Sequence, residues 1–149
     1  MRTGRQQLGD WGEKVVAKTC LCPNCKKHNT LKLLPANFKC ADLICDFCGY
    51  LTQVKTAKVK DVNRIPKYVL GGAWGPQKDR MQAAIYFSMY LVLTTEERTE
   101  YSILFLSRDL QNERMFVPRE PLSPNAKRAG WQGFRINLAE MADRFVRLV

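Results

Sequence analysis

The sequence lacks the long hydrophobic runs of a membrane protein. A membrane-spanning helix needs ~20 consecutive apolar residues, and the most apolar stretch, residues 83–93, is shorter and contains Ser88 and two tyrosines. Residues 1–7 have no apolar core, which is atypical of a signal peptide. Internal repeats and low-complexity segments are also missing. We therefore expect a cytoplasmic protein without a membrane partner.

Acidic residues are scarce relative to basic ones. The chain has 14 Asp and Glu against 24 Lys and Arg, which gives a formal net charge of +10. Such an excess usually indicates a polyanionic partner such as nucleic acid. A generically basic surface is the alternative, and composition does not separate the two. The length of 149 residues suits one domain over residues 1–149, large enough to bury a core of its own.

Hydrophobic periodicity predicts an α+β fold with a mixed sheet. Residues 8–18 read as a helix whose apolar face carries Trp11, Val15 and Val16. Residues 89–94 and 101–106 alternate apolar side chains and should pair antiparallel around a turn. The remaining predictions are strands at 38–44, 50–56, 116–117 and 133–138, helices at 77–88 and 139–149, and loops at 20–35 and 57–76.

Six cysteines, with a single histidine, point to metal. Cys22-Pro-Asn-Cys25 and Cys45-Asp-Phe-Cys48 are two Cys-x-x-Cys pairs separated by nineteen residues. Disulfides are rare in the cytosol, and two such turns can close a tetrahedral shell of thiolates around zinc. Four thiolates leave no open coordination position, so we predict one structural zinc.

The remaining candidate ligands fit this site less well. Cys20 could compete with Cys22, but it would not give the two-residue gap, and Cys20 and Cys40 read better as small apolar fillers. His28 lies in a polar loop and reads as solvated.

A second constellation carries oxygen and ammonium groups. Gln53 and Lys55 are two apart on a predicted strand and share a face, and normal hairpin pairing would bring Asp42 beside them. This set suits metal-assisted phosphodiester cleavage, with Asp42 and Gln53 holding Mg²⁺ and Lys55 orienting water or stabilising charge. Glu13 could add a carboxylate. The alternative is a solvent-facing polar strand, which the spacing alone favours.

These residues resemble a known signature. Asp42, ten residues, then Gln53-x-Lys55 resembles the PD-(D/E)xK nuclease motif with Gln in the usual acidic position, and Gly12-Glu13 resembles the helix glutamate of many such nucleases. Within that superfamily the chain is similar to the catalytic domain of the DpnI-like restriction endonucleases. The similarity lies in residues 21–25, in residues 41–48 and in a long stretch at 120–138, and it spans roughly residues 8–140.

The resemblance implies a PD-(D/E)xK-like mixed sheet flanked by helices, with a zinc ribbon at about residues 20–50. It implies a Mg²⁺-dependent DNA endonuclease of restriction type with a role in defence, methyl-directed in the parent family. Two departures matter, because Gln53 removes a charge from the metal site and the sequence has no counterpart of that family's winged-helix domain. An inactive nuclease-fold module that binds DNA or RNA, and a zinc ribbon that docks a partner protein, are the alternatives.

The expected partner is double-stranded DNA. Basic residues after the predicted catalytic strand could follow its backbone, and Trp74 in a Gly/Pro-rich loop could contact a base or groove, although a core Trp reads equally well. A homodimer, or a partner subunit that reads DNA, is the other expected partner. The predicted DNA-binding cations are Lys58, Lys60, Arg64, Lys67, Lys127 and Arg128.

Overall fold

A mixed α+β fold is formed by residues 3–149, the part of the chain that the computed structural model describes. Two α-helices are present there, α1 (Gly4–Thr19) and α2 (Trp74–Gln82). The strands are β1 (Leu31–Leu33), β2 (Leu43–Cys45), β3 (Leu51–Lys58), β4 (Tyr68–Gly71), β5 (Ser88–Thr94), β6 (Tyr101–Leu106), β7 (Phe116–Pro118), β8 (Phe134–Asn137) and β9 (Val146–Arg147). Short 3-10 helices cover Arg108–Leu110, Glu113–Met115 and Ala139–Arg144.

The strands form two sheets. The larger has the order β1-β2-β3-β5-β6-β9, in which β3 and β5 run parallel and the other neighbours run antiparallel. The smaller is antiparallel, with the order β4-β8-β7. The predicted fold class, a mixed sheet flanked by helices, is confirmed.

Strand β5 lies at the centre of both hydrophobic cores. All seven of its residues are buried, as its almost unbroken apolar run requires of a strand covered on both faces. Alternate side chains point to opposite sides: Tyr90 and Val92 join a core with α1, whereas Met89, Leu91 and Leu93 join a core with the smaller sheet.

Helix α1 packs unusually close to β3. It begins with a capping box, in which Thr3 and Gln6 satisfy each other's backbone N–H groups, and therefore starts earlier than the predicted residue 8. Gly12 faces β3, and a Cβ at that position would overlap the Thr56 side chain. The absence of a side chain at Gly12 thus allows helix and strand to approach, which fixes the position of the neighbouring Glu13.

Short strands were the elements that periodicity missed. β1 lies inside the predicted cysteine loop and β4 inside the predicted loop 57–76. The predicted strand 38–44 is wrong over most of its length, since only β2, from Leu43 to Cys45, is a strand. Three or four residues give too few alternations to define a period, so pairing with neighbours decides these elements.

Two helix predictions need correction. Helix α2 starts at Trp74 and ends at Gln82, not at 88, because Ser88 begins the buried strand β5. The predicted closing helix 139–149 is wrong: a 3-10 helix over Ala139–Arg144 is followed by β9, which pairs with β6 and forms one edge of the larger sheet. The hairpin of β5 and β6 is confirmed.

Candidate zinc centre and nuclease cleft

The four cysteines of the two Cys-x-x-Cys pairs meet at one point. Their Sγ atoms all lie within 4.8 Å of one another, with 3.6 Å between Cys22 and Cys48 and 3.7 Å between Cys25 and Cys45. Sulfurs placed about 2.3 Å from a central zinc form a tetrahedron with edges of about 3.8 Å. The predicted cysteine cluster is therefore present, with a geometry that fits zinc.

Both pairs form the same kind of turn. The second cysteine of each pair donates its backbone N–H to Sγ of the first. The N···Sγ distance is 3.5 Å in the first pair and 3.4 Å in the second. The following residues, Lys26 and Gly49, donate to the carbonyl oxygen of the first cysteine at 3.0 and 2.8 Å. Both have positive φ, 63° for Lys26 and 79° for Gly49. Gly49 is the residue type that this conformation favours, whereas Lys26 gives no such signal in the sequence.

Hydrogen-bond donors favour the thiolate at two of these cysteines. Burial opposes ionisation of Cys45, but the Thr30 hydroxyl and backbone N–H groups outweigh it and lower its pKa to about 6. The Asn24 side chain lowers the pKa of Cys48, whereas burial raises that of Cys22. Thiolate is the form that binds zinc, so the donors around Cys45 and Cys48 suit a metal ligand.

Cys20, Cys40 and His28 lie outside this cluster. Cys20 is buried among apolar residues, where burial raises its pKa to about 11, as expected of a filler. His28 is exposed. Cys40 is only partly buried and lines the cleft described next, so it is not the core filler that we predicted.

Asp42, Gln53 and Lys55 line one cleft of about 230 Å³. The two residues on β3 share a face, and Gln53 is only 5% exposed. We predicted that Asp42 ends a strand, but it lies one residue before the start of β2. Its backbone N–H donates to the carbonyl oxygen of Thr52 at 2.9 Å. This bond continues the β2–β3 ladder, and the hairpin thereby brings the three side chains together.

The Asp42 carboxylate is largely withdrawn from water. Burial raises its pKa, while the Lys55 charge and a hydrogen bond from the Val54 N–H to Oδ2, at 2.7 Å, act in the opposite direction. A buried carboxylate whose negative charge is only partly balanced attracts a cation.

Asp42 also borders a second cavity, of about 270 Å³, on the side of α1. Glu13, the predicted helix glutamate, lines this cavity and not the cleft with Gln53 and Lys55, and Asp10 lines the cavity as well. Both are partly buried. Sequence reasoning missed Asp10, although its position three residues before Glu13 places it on the same helix face.

Helix α2 forms the opposite wall of the cleft lined by Asp42, Gln53 and Lys55, which we call the nuclease cleft. Gln77 is 6% exposed and lines the cleft together with Gly72, Ala73 and Pro76. Sequence reasoning also missed Gln77, because only the tertiary fold shows that this turn of α2 faces β3.

The predicted DNA-binding residues lie in different settings. Trp74 packs against Phe134, with 5.8 Å between ring centroids. Lys58 forms an ion pair of 3.1 Å with Glu96, and Arg128 lies 4.6 Å from the centroid of the Trp131 ring. All six predicted cations are exposed: Lys58, Lys60, Arg64, Lys67, Lys127 and Arg128.

Comparison with known families gives a match over nearly the whole chain. The family model described as DpnI, Dam-replacing family, matches residues 3–148. The match includes both cysteine pairs and every residue of the nuclease cleft. Within residues 3–149, no helix has the length and apolar character needed to cross a membrane.

Proposed function

Because the chain belongs to the DpnI, Dam-replacing family, which indicates a restriction-type nuclease that acts on DNA, we propose that it is a divalent-metal-dependent DNA endonuclease. One observation carries the proposal. Asp42, Gln53 and Lys55 line a single cleft, and Glu13 lines the cavity on the other side of Asp42.

The donor set of this cleft suits a hard cation. Mg²⁺ prefers oxygen ligands, and the Asp42 carboxylate and the Gln53 side-chain oxygen would hold it, with Glu13 on α1 as the further carboxylate. The partly uncompensated charge of buried Asp42 favours such an ion. Bound there, Mg²⁺ would stabilise negative charge on the phosphate and lower the pKa of a bound water.

Lys55 would act on the phosphodiester itself. Its ammonium group lines the same cleft as Asp42, where it would attract the scissile phosphate and stabilise the charge that develops during hydrolysis. Its charge also keeps Asp42 more ionised than burial alone would allow, so that the carboxylate is available as a ligand.

Gln53 makes the proposed site less negative than one with glutamate. An amide oxygen can still bind a cation but brings no charge, so we expect a higher Mg²⁺ requirement than with Glu at this position. Glu13 and Asp10, which line the same cavity as Asp42, are the carboxylates that would offset the loss.

The proposed zinc is structural. The second cysteine pair forms the turn between β2 and β3, the hairpin that positions Asp42 and Gln53. Zinc would tie this turn to the segment after α1 and so hold the hairpin in place.

The wider setting is also part of the proposal. We propose one PD-(D/E)xK-like nuclease domain over residues 1–149 with the zinc ribbon at about 20–50, located in the cytoplasm. We further propose methyl-directed cleavage of double-stranded DNA, for which the family resemblance is the support, and a homodimer or a DNA-reading partner subunit as the additional partner.

A plasmid assay tests the activity. Methylated and unmethylated plasmids are incubated with the protein and Mg²⁺ or Mn²⁺, and we expect cleavage by the wild type, none by Asp42→Ala, and a lower Mg²⁺ requirement for Gln53→Glu. Methyl direction predicts cleavage of the methylated plasmid only.

An inactive DNA-binding module is the second candidate, favoured by the charge that Gln53 removes. It would be supported if the wild type and Gln53→Glu both bound DNA but cleaved neither plasmid.

A further inference from the structure

The outer face of the smaller sheet carries side chains with polar groups. Along β8, Phe134 and Ile136 are buried in the core, whereas Arg135 is exposed and Asn137 partly exposed. β4 pairs with β8 so that Tyr68 lies opposite Asn137. Tyr68, Arg135 and Asn137 therefore share the solvent-facing side of this sheet.

A concave site of about 480 Å³ lies over this face. Lys67, Arg114 and Arg135 line it together with Tyr68, Asn137, Ala139 and Glu140. Three cations thus surround the cavity against one carboxylate. Among the described residues, none of the three forms an ion pair with a carboxylate.

Arg135 is oriented by an aromatic ring. Its guanidinium lies 4.3 Å from the centroid of the Tyr68 ring, a stacking that holds the planar group while its N–H donors remain available at the edge. A fixed guanidinium presents two parallel donors, which match the oxygens of a phosphate better than a point charge does. Like charges in one concavity repel one another, and an anion bound between them removes this repulsion.

This site shares a lining residue with a groove that in turn shares Lys55 with the nuclease cleft. Tyr68 also lines a groove of about 460 Å³ whose other walls include Arg5, Lys55 and Lys58. β4 leads from Tyr68 to the cleft residue Gly72, and a strand rises about 3.3 Å per residue, which puts the two about 13 Å apart. B-DNA carries one phosphate per 3.4 Å of axis on each strand, so this distance corresponds to roughly four nucleotides.

We propose that Lys67, Arg114 and Arg135, with Tyr68 as a platform, form a second anion site that binds a DNA backbone phosphate a few nucleotides from the scissile bond. The proposal rests on DNA being the substrate, as proposed above. Such a contact positions the duplex and carries no sequence information.

Binding without catalysis tests the proposal. A fluorescent 20-bp duplex is titrated without divalent metal, using the wild type, Arg135→Gln, Arg114→Gln and the control Lys18→Gln, an exposed cation near the far end of α1. Each site variant should bind about 5- to 20-fold more weakly and lower the magnitude of the log–log salt slope by about 1. The control variant should change less. Both arginines are exposed, and thermal melts check that the variants fold.

A phosphate scan locates the contact. In duplexes with a single neutral methylphosphonate, one position should weaken wild-type binding but leave Arg135→Gln unchanged, since that variant has already lost the contact. Affinities and salt slopes of Arg135→Gln and Arg114→Gln that match the control would overturn the proposal. Cleavage is not the readout, so an inert wild type whose arginine variants bind weakly contradicts the nuclease function and supports the anion site.

Discussion

At the scale of single residues, Asp42 lowers the stability of the folded protein when it is ionised, and it is also a proposed catalytic residue. Burial raises its pKa, and the Lys55 charge and the Val54 N–H only partly oppose this. A carboxyl whose pKa is higher in the folded than in the unfolded chain binds protons more strongly when folded. Its contribution to stability is therefore greatest below the unfolded pKa and is lost as the pH rises through the folded value. At neutral pH the ionised Asp42 destabilises the fold.

Asp42→Asn should therefore raise the melting temperature at pH 7 by a few degrees while abolishing cleavage. The amide oxygen can still accept the Val54 N–H, and no buried charge remains. The difference from wild type should shrink as the pH falls through the raised pKa of the wild-type carboxyl, which then becomes protonated. Thermal melts between pH 4 and 8 without added divalent metal measure it, and identical melting curves at pH 7 would contradict the burial argument.

At the scale of elements, the close contact of α1 with β3 positions Glu13. Gly12 makes this contact possible, since a Cβ there would overlap the Thr56 side chain, whose buried Oγ1 has no hydrogen-bond partner within residues 3–149. A residue larger than glycine must push the helix away from the strand, and Glu13 would move with it relative to Asp42.

Gly12→Ala should destabilise the protein by about 1–3 kcal/mol, the usual cost of overpacking, and should also reduce cleavage by the folded protein. Gly9→Ala is the matched control on the same helix, because nothing lies within 4 Å of a Cβ there. Alanine forms helix better than glycine by about 1 kcal/mol, so the control should be neutral or stabilising. Urea unfolding measures both variants, and a Gly12→Ala variant as stable as Gly9→Ala would contradict the close contact.

The β2–β3 hairpin depends in the same way on the cysteine cluster at its turn. Cys45→Ser should remove the bound zinc and strongly lower the melting temperature, because metal binding is coupled to folding. Cys40→Ser, outside the cluster, is the control and should retain one zinc per chain. Elemental analysis with thermal melts gives both values. Purified wild type without zinc would contradict the zinc assignment.

The elements also show how far sequence reasoning reaches. β5 and β6 could be predicted because each has at least six residues with a consistent apolar pattern. The cysteine cluster could be predicted because a two-residue gap fixes its geometry locally. By contrast, β1, β4 and β9 are short strands defined by their partners, and the predicted helix 139–149 contains β9, which pairs with β6 instead. The pattern of apolar residues within a short segment does not predict pairing with a strand elsewhere in the sequence.

The same limit applies to the candidate site. Asp42, Gln53 and Lys55 share one hairpin, so their proximity follows from spacing on paired strands. Gln77, on α2, joins the cleft only through tertiary packing. Arg114 and Arg135 meet Tyr68 for the same reason, and no spacing rule links residues so far apart in the chain.

At the scale of the whole molecule, three concave surfaces lined by cations are linked by shared lining residues. The nuclease cleft and the groove beside it share Lys55, and this groove and the anion site share Tyr68. Cations line each of them, within a chain of net charge +10. We call these three surfaces the DNA track, because they place cations beside the proposed catalytic residues, where a DNA backbone would run.

DNA binding should therefore depend strongly on salt, with a slope set by the phosphates along this track. If the track contacts about five phosphates, log Kobs against log[salt] should have a slope of roughly −4 to −5 on duplex DNA. Single strands condense fewer counterions, with about 0.7 released per contact instead of about 0.9, so the same contacts should give a slope about one fifth shallower. Anisotropy titrations between about 50 and 200 mM salt measure both slopes. Affinity is expected to fall steeply over this range of salt concentration. A slope near zero would mean that the basic charge is not the binding surface, whereas a steep slope unaffected by Arg135→Gln would place that surface elsewhere on the molecule.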